Sequence, residues 1–363
     1  MLFNAGDAFY WRGPGAVPFK ADAALWPDRL RELSSSYTDL IVFGEGGPYN
    51  QAVLRAAAEI DARVWVLENG YFRPDWITVE RNGVNGSSRL PRDRRSYEPP
   101  VPETPVTRPV GKILPYHVLN ISLYHTVQLI GPWLFPNYTA PYTQGPLQQC
   151  LGHIRRYFGL AFQPRDRCET ETIARQGPFF IACLQREGDA QLLRYSTFPD
   201  NTAFLAEVMS NFAAHAPADA RLVVKNHPLD PGLVDLARVT RLLAEERGVA
   251  ARVDFIDGGN LAQLCRASRG MVVNNSSAAL SALGFHTPVK VLGQAFFDFD
   301  GLTDQKPLSE FWSDPTEPDA ELFVRFRAHV IARSQVNGNY HEPRSMQPTA
   351  LALASVFENR SRS

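Results

Sequence analysis

The sequence predicts an α/β protein built from two Rossmann-like halves, and three observations carry that reading. At 363 residues the chain exceeds one typical domain of roughly 100 to 200 residues. Short β-branched or aromatic runs recur at 40–43, 64–67, 179–184, 222–225, 253–256, 271–273 and 289–292, with helical patterns between them, which is how parallel βαβ units read. Between these two sets of runs, from Arg81 to Lys112, the periodicity fails. Six prolines lie between Pro91 and Pro109, beside Asn82-Gly83 and Asn85-Gly86, so this stretch is a long loop of the kind that links or covers a site.

Taken in order, the first runs end in loops bearing carboxylates: Phe43-Gly44-Glu45-Gly46-Gly47 and Leu67-Glu68-Asn69-Gly70-Tyr71. In the second half, Pro199-Asp200-Asn201 precedes an apolar stripe of Phe204, Leu205, Val208, Met209 and Phe212, the spacing of a helix with one face on a sheet. Another helix carries Leu233, Leu236, Val239, Leu242 and Leu243 and stops near Gly248. Helices are expected again from about Asp319. The expected boundaries are 1–165 for the first domain, with its loop at 81–112, then 166–318, then C-terminal helices at 319–363. Two such halves suggest a GT-B-like arrangement, with ligand in a cleft between them.

Composition narrows the function classes. The 37 Lys+Arg against 38 Asp+Glu remove the global basic signature of a nucleic-acid binder. Cysteines at 150, 168, 183 and 265 are too sparse for a disulfide scaffold and form no CxxC pair. No metal-ligand spacing appears and the histidines are dispersed, so no metal and no cofactor is expected. The first residues show no basic n-region or long apolar run, the pattern expected of a cytoplasmic chain. The most apolar stretch, Val118 to Phe135, is interrupted by Asn120, His125 and Gln128, short of the roughly 20 apolar residues a spanning helix needs. It reads as a core or inter-domain segment. The alternative is a surface-lying one, since Tyr124, Trp133, Phe135, Tyr138 and Tyr142 cluster there, with Arg155 and Arg156 beyond.

Two constellations carry chemistry in the second half. In Leu222-Val223-Val224-Lys225-Asn226-His227-Pro228 a buried strand runs into a basic residue and a histidine, and the carboxyl ends of parallel strands face the ligand crevice. His227 can donate to a phosphate oxygen or protonate a leaving phosphate, its pKa lying near neutrality; a capping or core histidine is the alternative. In Met271-Val272-Val273-Asn274-Asn275-Ser276-Ser277 a strand gives way to a small-residue helix whose start offers N–H groups and hydroxyls to an anion. Ser276 and Ser277 also suit plain N-caps. In the first half Glu45 and Glu68 are the candidate carboxylates for base, nucleophile or oxocarbenium-stabilising work at a sugar. Arg89, Arg92, Arg94 and Arg95 form either a solvated basic loop or an anionic head-group contact.

These residues resemble the capsule polysaccharide biosynthesis and export proteins of the KpsS/LipB type. The resemblance runs through Asn4-Ala5-Gly6-Asp7-Ala8-Phe9-Tyr10, Glu68-Asn69-Gly70-Tyr71-Phe72-Arg73-Pro74, Gly83-Val84-Asn85, Leu184-Gln185 with Asp189, Lys225 to Asp230, Asn275-Ser276-Ser277, Gly301-Leu302-Thr303, Phe311-Trp312 and Gln335 to Gly338. It implies a GT-B fold and retaining transfer of Kdo from CMP-β-Kdo to phosphatidylglycerol or its lyso form, by a protein peripheral to the inner membrane that works beside other capsule assembly and export proteins. It implies that His227, Pro228, Ser276 and Ser277 hold the CMP phosphate, with Lys225, Asn275, Gln185 and Asp189 as neighbours. Tyr71 and Arg73 fall on the acceptor side. The acidic motif of such enzymes reads acid-acid-Gly, whereas here it is Glu68-Asn69-Gly70. An amide cannot act as nucleophile or base, so either Glu68 or Glu45 takes over, or the transfer is a front-face displacement without a covalent intermediate, or activity is weak. Family chains also carry a further βα unit before the segment at Phe3, so the first sheet is expected to lack a central strand. A transferase using another cytidine-activated donor and a non-catalytic export accessory are the rival readings, and Asn69 favours the accessory.

Overall fold

The computed structural model describes the chain except residues 12, 141–144, 146, 149–150, 153–154, 157–167 and 360–363. Tyr142 of the aromatic cluster and Cys150 therefore lie outside the described residues. Two compact units emerge: Met1–Arg89, Glu103–Leu147 and Val330–Ser363 form one, Leu90–Pro102 and Gln148–His329 the other.

In chain order the described strands are β1 (Asp39–Phe43), β2 (Arg63–Asn69), β3 (Trp76–Arg81), β4 (Phe179–Cys183), β5 (Arg221–Lys225), β6 (Val253–Ile256), β7 (Gly270–Val273), β8 (Val289–Val291) and β9 (Gln335–Asn337). All seven runs read from the sequence are strands, and both units are α/β.

The first unit holds a four-stranded sheet ordered β1-β2-β3-β9. Only β1 and β2 are parallel; β2–β3 and β3–β9 pair antiparallel. This differs from the all-parallel sheet that a Rossmann-like half implies. The cause is the Gly70–Asp75 connection, six residues long, because a parallel return needs a crossover of a dozen or more. Gly70 makes the tight turn feasible: a Cβ there would overlap the backbone carbonyl of Trp76. One face of the sheet packs Val42, Val64 and Val66 against Trp26, Leu30, Tyr49 and Val53 of the helices Trp26–Ser34 and Gly47–Ala56. The other face packs Trp65, Ile77, Val79 and Val336 against Leu353, Val356 and Phe357 of the helix Pro343–Asn359.

The second unit holds a five-stranded, wholly parallel sheet ordered β6-β5-β4-β7-β8. The helix Asn201–His215, capped by Asp200, whose carboxylate accepts from the N–H of Ala203 (2.8 Å), lays Phe204, Leu205, Val208, Met209 and Phe212 on it. These are the residues whose spacing predicts that face. The helix predicted from Leu233 spans Leu236–Glu246 and buries Leu236, Thr240 and Ala244.

Within the predicted loop 81–112 there is order. Residues 90–102 belong to the second unit, anchored by Tyr97, which is fully buried among Phe299, Phe326 and His329. Arg94, its side chain still half exposed, pairs with Asp319. The apolar stretch is a helix, Ile113–Ile130, followed by a short turn at Pro132–Leu134. No helix among the described residues is long and apolar enough to cross a membrane.

Candidate functional site

The parallel sheet brings polar residues together at its carboxyl edge, each placed by the loop that leaves a strand. Gln185 follows β4, Asn226 and His227 follow β5, Asp257 follows β6, and Asn274 to Ser277 follow β7. Because β4 lies between β5 and β7, the His227 and Ser276 loops stand two strand spacings apart, about 10 Å, with Gln185 between them.

Gln185 ties one side. Its Nε2 donates to Asn275 Oδ1 (2.6 Å) and its Oε1 accepts from Asn274 Nδ2 (3.2 Å). Asn275 Nδ2 donates onward to the carbonyls of Gln191 and Tyr195. Asp189 caps the helix Ala190–Arg194, accepting from Gln191 N–H at 2.8 Å. Asn274 Oδ1 is buried and accepts no hydrogen bond among the described residues, a state that costs roughly 1–3 kcal/mol until a donor arrives.

The other side is fixed by Arg156, which the sequence signals only as one of two basic residues beyond the aromatic cluster. Its guanidinium pairs with Asp257 and donates to the carbonyls of His227, Pro228 and Asp230. Asn226 Nδ2 also donates to Asp257 (2.9 Å). The loop is thereby held from both ends. His227 Nδ1 accepts from Leu229 N–H (3.1 Å), which places the proton of the neutral ring on Nε2. Pro228 is exposed.

Lys225, the last residue of β5, is 8% exposed. It makes no hydrogen bond or salt bridge among the described residues. Burial pushes its pKa below the ordinary lysine value, partly offset by Cys183 and Asp257. Burial also pushes the neighbouring Cys183 thiol up to about 11. Ser276 Oγ accepts from Ala278 N–H (3.3 Å), while Ser277 makes no side-chain cap to the helix Ala278–Gly284. A buried ammonium with no hydrogen-bond or ion-pair partner among the described residues, on the strand that leads into an N–H-bearing imidazole, is chemistry suited to an anion.

In the first unit the carboxylates gather around the loop Gly83–Ser88. Glu45 is 1% exposed and accepts from Val84 N–H at 2.9 Å. Glu68, half-buried in β2, accepts from Asn85 Nδ2 at 2.9 Å. Glu80 of β3, which the sequence reading passes over, is buried and accepts from Tyr71 Oη (2.7 Å) and from Ser88 Oγ. Tyr71 is itself buried, and its hydroxyl accepts from Asn85 N–H (2.7 Å); burial and the Glu80 charge hold its pKa well above the usual tyrosine value. Asn85 adopts φ 51°, a left-handed conformation that asparagine tolerates better than most residues. Arg73 is exposed and donates to the carbonyl of Gly70 (3.1 Å). Asn69 ends β2 and accepts from Thr78 Oγ1 through its backbone carbonyl (3.1 Å). Among these acids Glu68 alone combines a carboxylate at a strand end with partial solvent access. Glu80 is invisible to the sequence reading because nothing in Trp76–Arg81 distinguishes an acid that anchors a loop from a solvated one.

Polar groups gathered at the carboxyl edge of an open parallel sheet occupy the place where α/β folds of this class hold their ligands. The chain belongs to the capsule polysaccharide biosynthesis protein family, whose profile matches residues 38–341. It is 34% identical to the capsule polysaccharide modification protein LipB of Neisseria meningitidis serogroup B, over 93% of this chain and 84% of LipB. It is 30% identical to the capsule polysaccharide export protein KpsS of Escherichia coli, over 94% and 89%. Among solved structures, the beta Kdo 2,7 transferase of KpsC from Thermosulfurimonas dismutans overlaps 94% of this chain and 92% of its own at 14% identity and a TM-score of 0.41.

Proposed function

We propose that the protein is a glycosyltransferase of capsule polysaccharide biosynthesis, transferring Kdo from CMP-β-Kdo, with retention, to phosphatidylglycerol or its lyso form. The observation that carries this reading is the buried Lys225, which makes no hydrogen bond or ion pair among the described residues, two residues before His227 and across Gln185 from the Ser276 and Ser277 loop. In this mechanism the bond between the anomeric carbon and the phosphate oxygen breaks, and the electron pair leaves with CMP. The Lys225 ammonium and the His227 Nε2–H offset the charge that grows on that phosphate. Arg156 holds the His227 loop in place for this work. Asn274 Oδ1 accepts a hydrogen bond from the donor nucleotide or its sugar. Glu68 stabilises positive charge at the anomeric carbon, and the acceptor hydroxyl forms the new bond as its proton passes to the departing phosphate oxygen of CMP. The protein works at the cytoplasmic face of the inner membrane, beside other capsule assembly proteins, and no resident cofactor or metal enters the scheme.

Incubation of purified protein with CMP-Kdo and a fluorescent lysophosphatidylglycerol tests the reading. A Kdo-modified lipid is expected, and it should be lost in Glu68→Gln. Transfer that survives Glu68→Gln removes Glu68 from its role. One observation favours a second reading: Asn69 stands where the acidic motif has its second acid, which suits an export accessory that binds glycolipid without turning it over. Absence of both CMP binding and transfer would support that accessory reading, whereas transfer gained in Asn69→Glu would mark Asn69 as a weakened catalytic site.

A further inference from the structure

The helix Ile113–Ile130 is inside out. The stripe it turns toward its own unit is largely polar: His117, Asn120, Tyr124 and Gln128, all half-buried. His117 Nδ1 meets His341 Nε2 at 2.8 Å, Tyr10 Oη donates to the Asn120 carbonyl at 3.1 Å, and Tyr124 Oη donates to Asp7 Oδ1 at 2.8 Å. The opposite stripe carries Val118, Leu119, Ile121, Leu123, Leu129 and Ile130, all exposed, with Leu119 at 61% and Ile130 at 62%. Trp133, in the turn that follows, is 73% exposed. A helix in water turns its apolar stripe inward, and a contiguous exposed patch of this kind marks a surface that meets something else.

Charge says what that something is. From Thr104 to Arg165 the sequence contains no Asp or Glu. Arg108 and Lys112, both exposed, precede the helix. Past its far end Lys20 lies over the ring of Phe135, 5.7 Å from the centroid. An apolar helix face with an exposed tryptophan at one end, cations at both ends and no acid along it matches an anionic lipid surface. A helix of 18 residues is about 27 Å long, and since no helix among the described residues is long and apolar enough to cross a membrane, the contact such a face suits is one along the membrane plane.

We propose that this face docks the protein on anionic phospholipid, with Val118, Leu119, Ile130 and Trp133 in the boundary between headgroups and acyl chains. The proposal deepens the lipid-acceptor reading and rests on it for the reason a lipid surface is needed. It names a docking element separate from the sites for donor and carboxylate chemistry.

Flotation of the full chain with phosphatidylcholine vesicles, and with the same vesicles enriched in phosphatidylglycerol, tests it. Binding is expected on the enriched vesicles alone and should weaken with salt. The double variant Leu119→Glu/Ile130→Glu should bind at least about tenfold more weakly, with CMP binding unchanged. Brominated lipid should quench wild-type fluorescence, and Trp133→Phe should lose that quenching, a readout that does not depend on the charged variant folding. Wild-type protein that stays unbound on enriched vesicles, or a double variant that floats equally well, overturns the proposal. So does a wild-type dimer that the double variant converts to monomer without changing vesicle binding, since the face would then cover a second copy. Transfer to a detergent-dispersed acceptor separates the two readings: transfer without flotation overturns the docking face alone, and flotation without transfer overturns the enzyme reading alone.

Discussion

Lys225 is an ammonium buried at a strand end with no hydrogen-bond or ion-pair partner among the described residues, the Asp257 charge offsetting its burial only in part, and its cost and its use have the same origin. Its folded pKa lies below the unfolded value of 10.5. Between those two values the unfolded chain holds more protons, so stability rises with pH through that window and the penalty is fully present below it. Lys225→Met should therefore leave stability at neutral pH unchanged or raised, by about 1 kcal/mol, while weakening CMP binding at least tenfold, by roughly the 1.5–3 kcal/mol of a charge-assisted contact. Thermal denaturation and calorimetric titration read the two effects; lost stability with CMP affinity intact would make Lys225 a structural residue. His341 is a second titrating group. Burial, with His117 beside it, lowers its pKa to about 4 from 6.5. The stability this contributes is present above pH 6.5 and is lost as pH falls toward 4. Urea midpoints at pH 7 and pH 5 should fall apart for wild type and lie closer together for His341→Gln. At this scale the sequence displayed Lys225, His227 and Glu68, because strand ends are visible as the last residues of apolar runs. It hid Arg156 and Glu80, whose roles depend on partners 101 residues away at Asp257 and, for Glu80, on a tyrosine across a tight turn.

Elements explain which of those side chains are held. The β2–β3 turn works because Gly70 approaches the Trp76 carbonyl more closely than any Cβ allows. Gly70→Ala should lower stability by about 2–4 kcal/mol and disturb the Tyr71–Glu80–Ser88 bonds that shape the Gly83–Ser88 loop. A urea midpoint equal to wild type would show that the turn relaxes. The parallel strands were legible because each is a short buried run. β3 and β9 were not: β3 merges into the predicted loop, and β9 spans Gln335–Asn337, too short to carry a periodicity. The antiparallel β2–β3 pairing followed from a six-residue connection whose strand partner the sequence reading does not recognise. The Ile113–Ile130 helix was legible as apolar but not as inverted, since which stripe faces inward depends on Asp7, Tyr10 and His341, distant in sequence.

For the whole molecule, the two-unit α/β organisation follows from length and alternation, while the path of the chain does not. The chain enters the second unit at Leu90, returns at Glu103, leaves again at Gln148 and comes back at Val330 within the helix Ala320–Ser334, and only the first excursion coincides with a composition shift, the proline-rich stretch. Family membership locates the chain in capsule polysaccharide biosynthesis, and the strand-end site supplies the chemistry proposed for it. The measurement that bears most directly on that proposal is Kdo transfer by purified protein from CMP-Kdo to fluorescent lysophosphatidylglycerol, with Lys225→Met and Glu68→Gln run alongside. The account predicts a Kdo-modified lipid for wild type and at least a tenfold loss in each variant, since each removes about 1.4 kcal/mol or more of transition-state stabilisation. Wild-type protein that neither binds CMP nor modifies the lipid would contradict it.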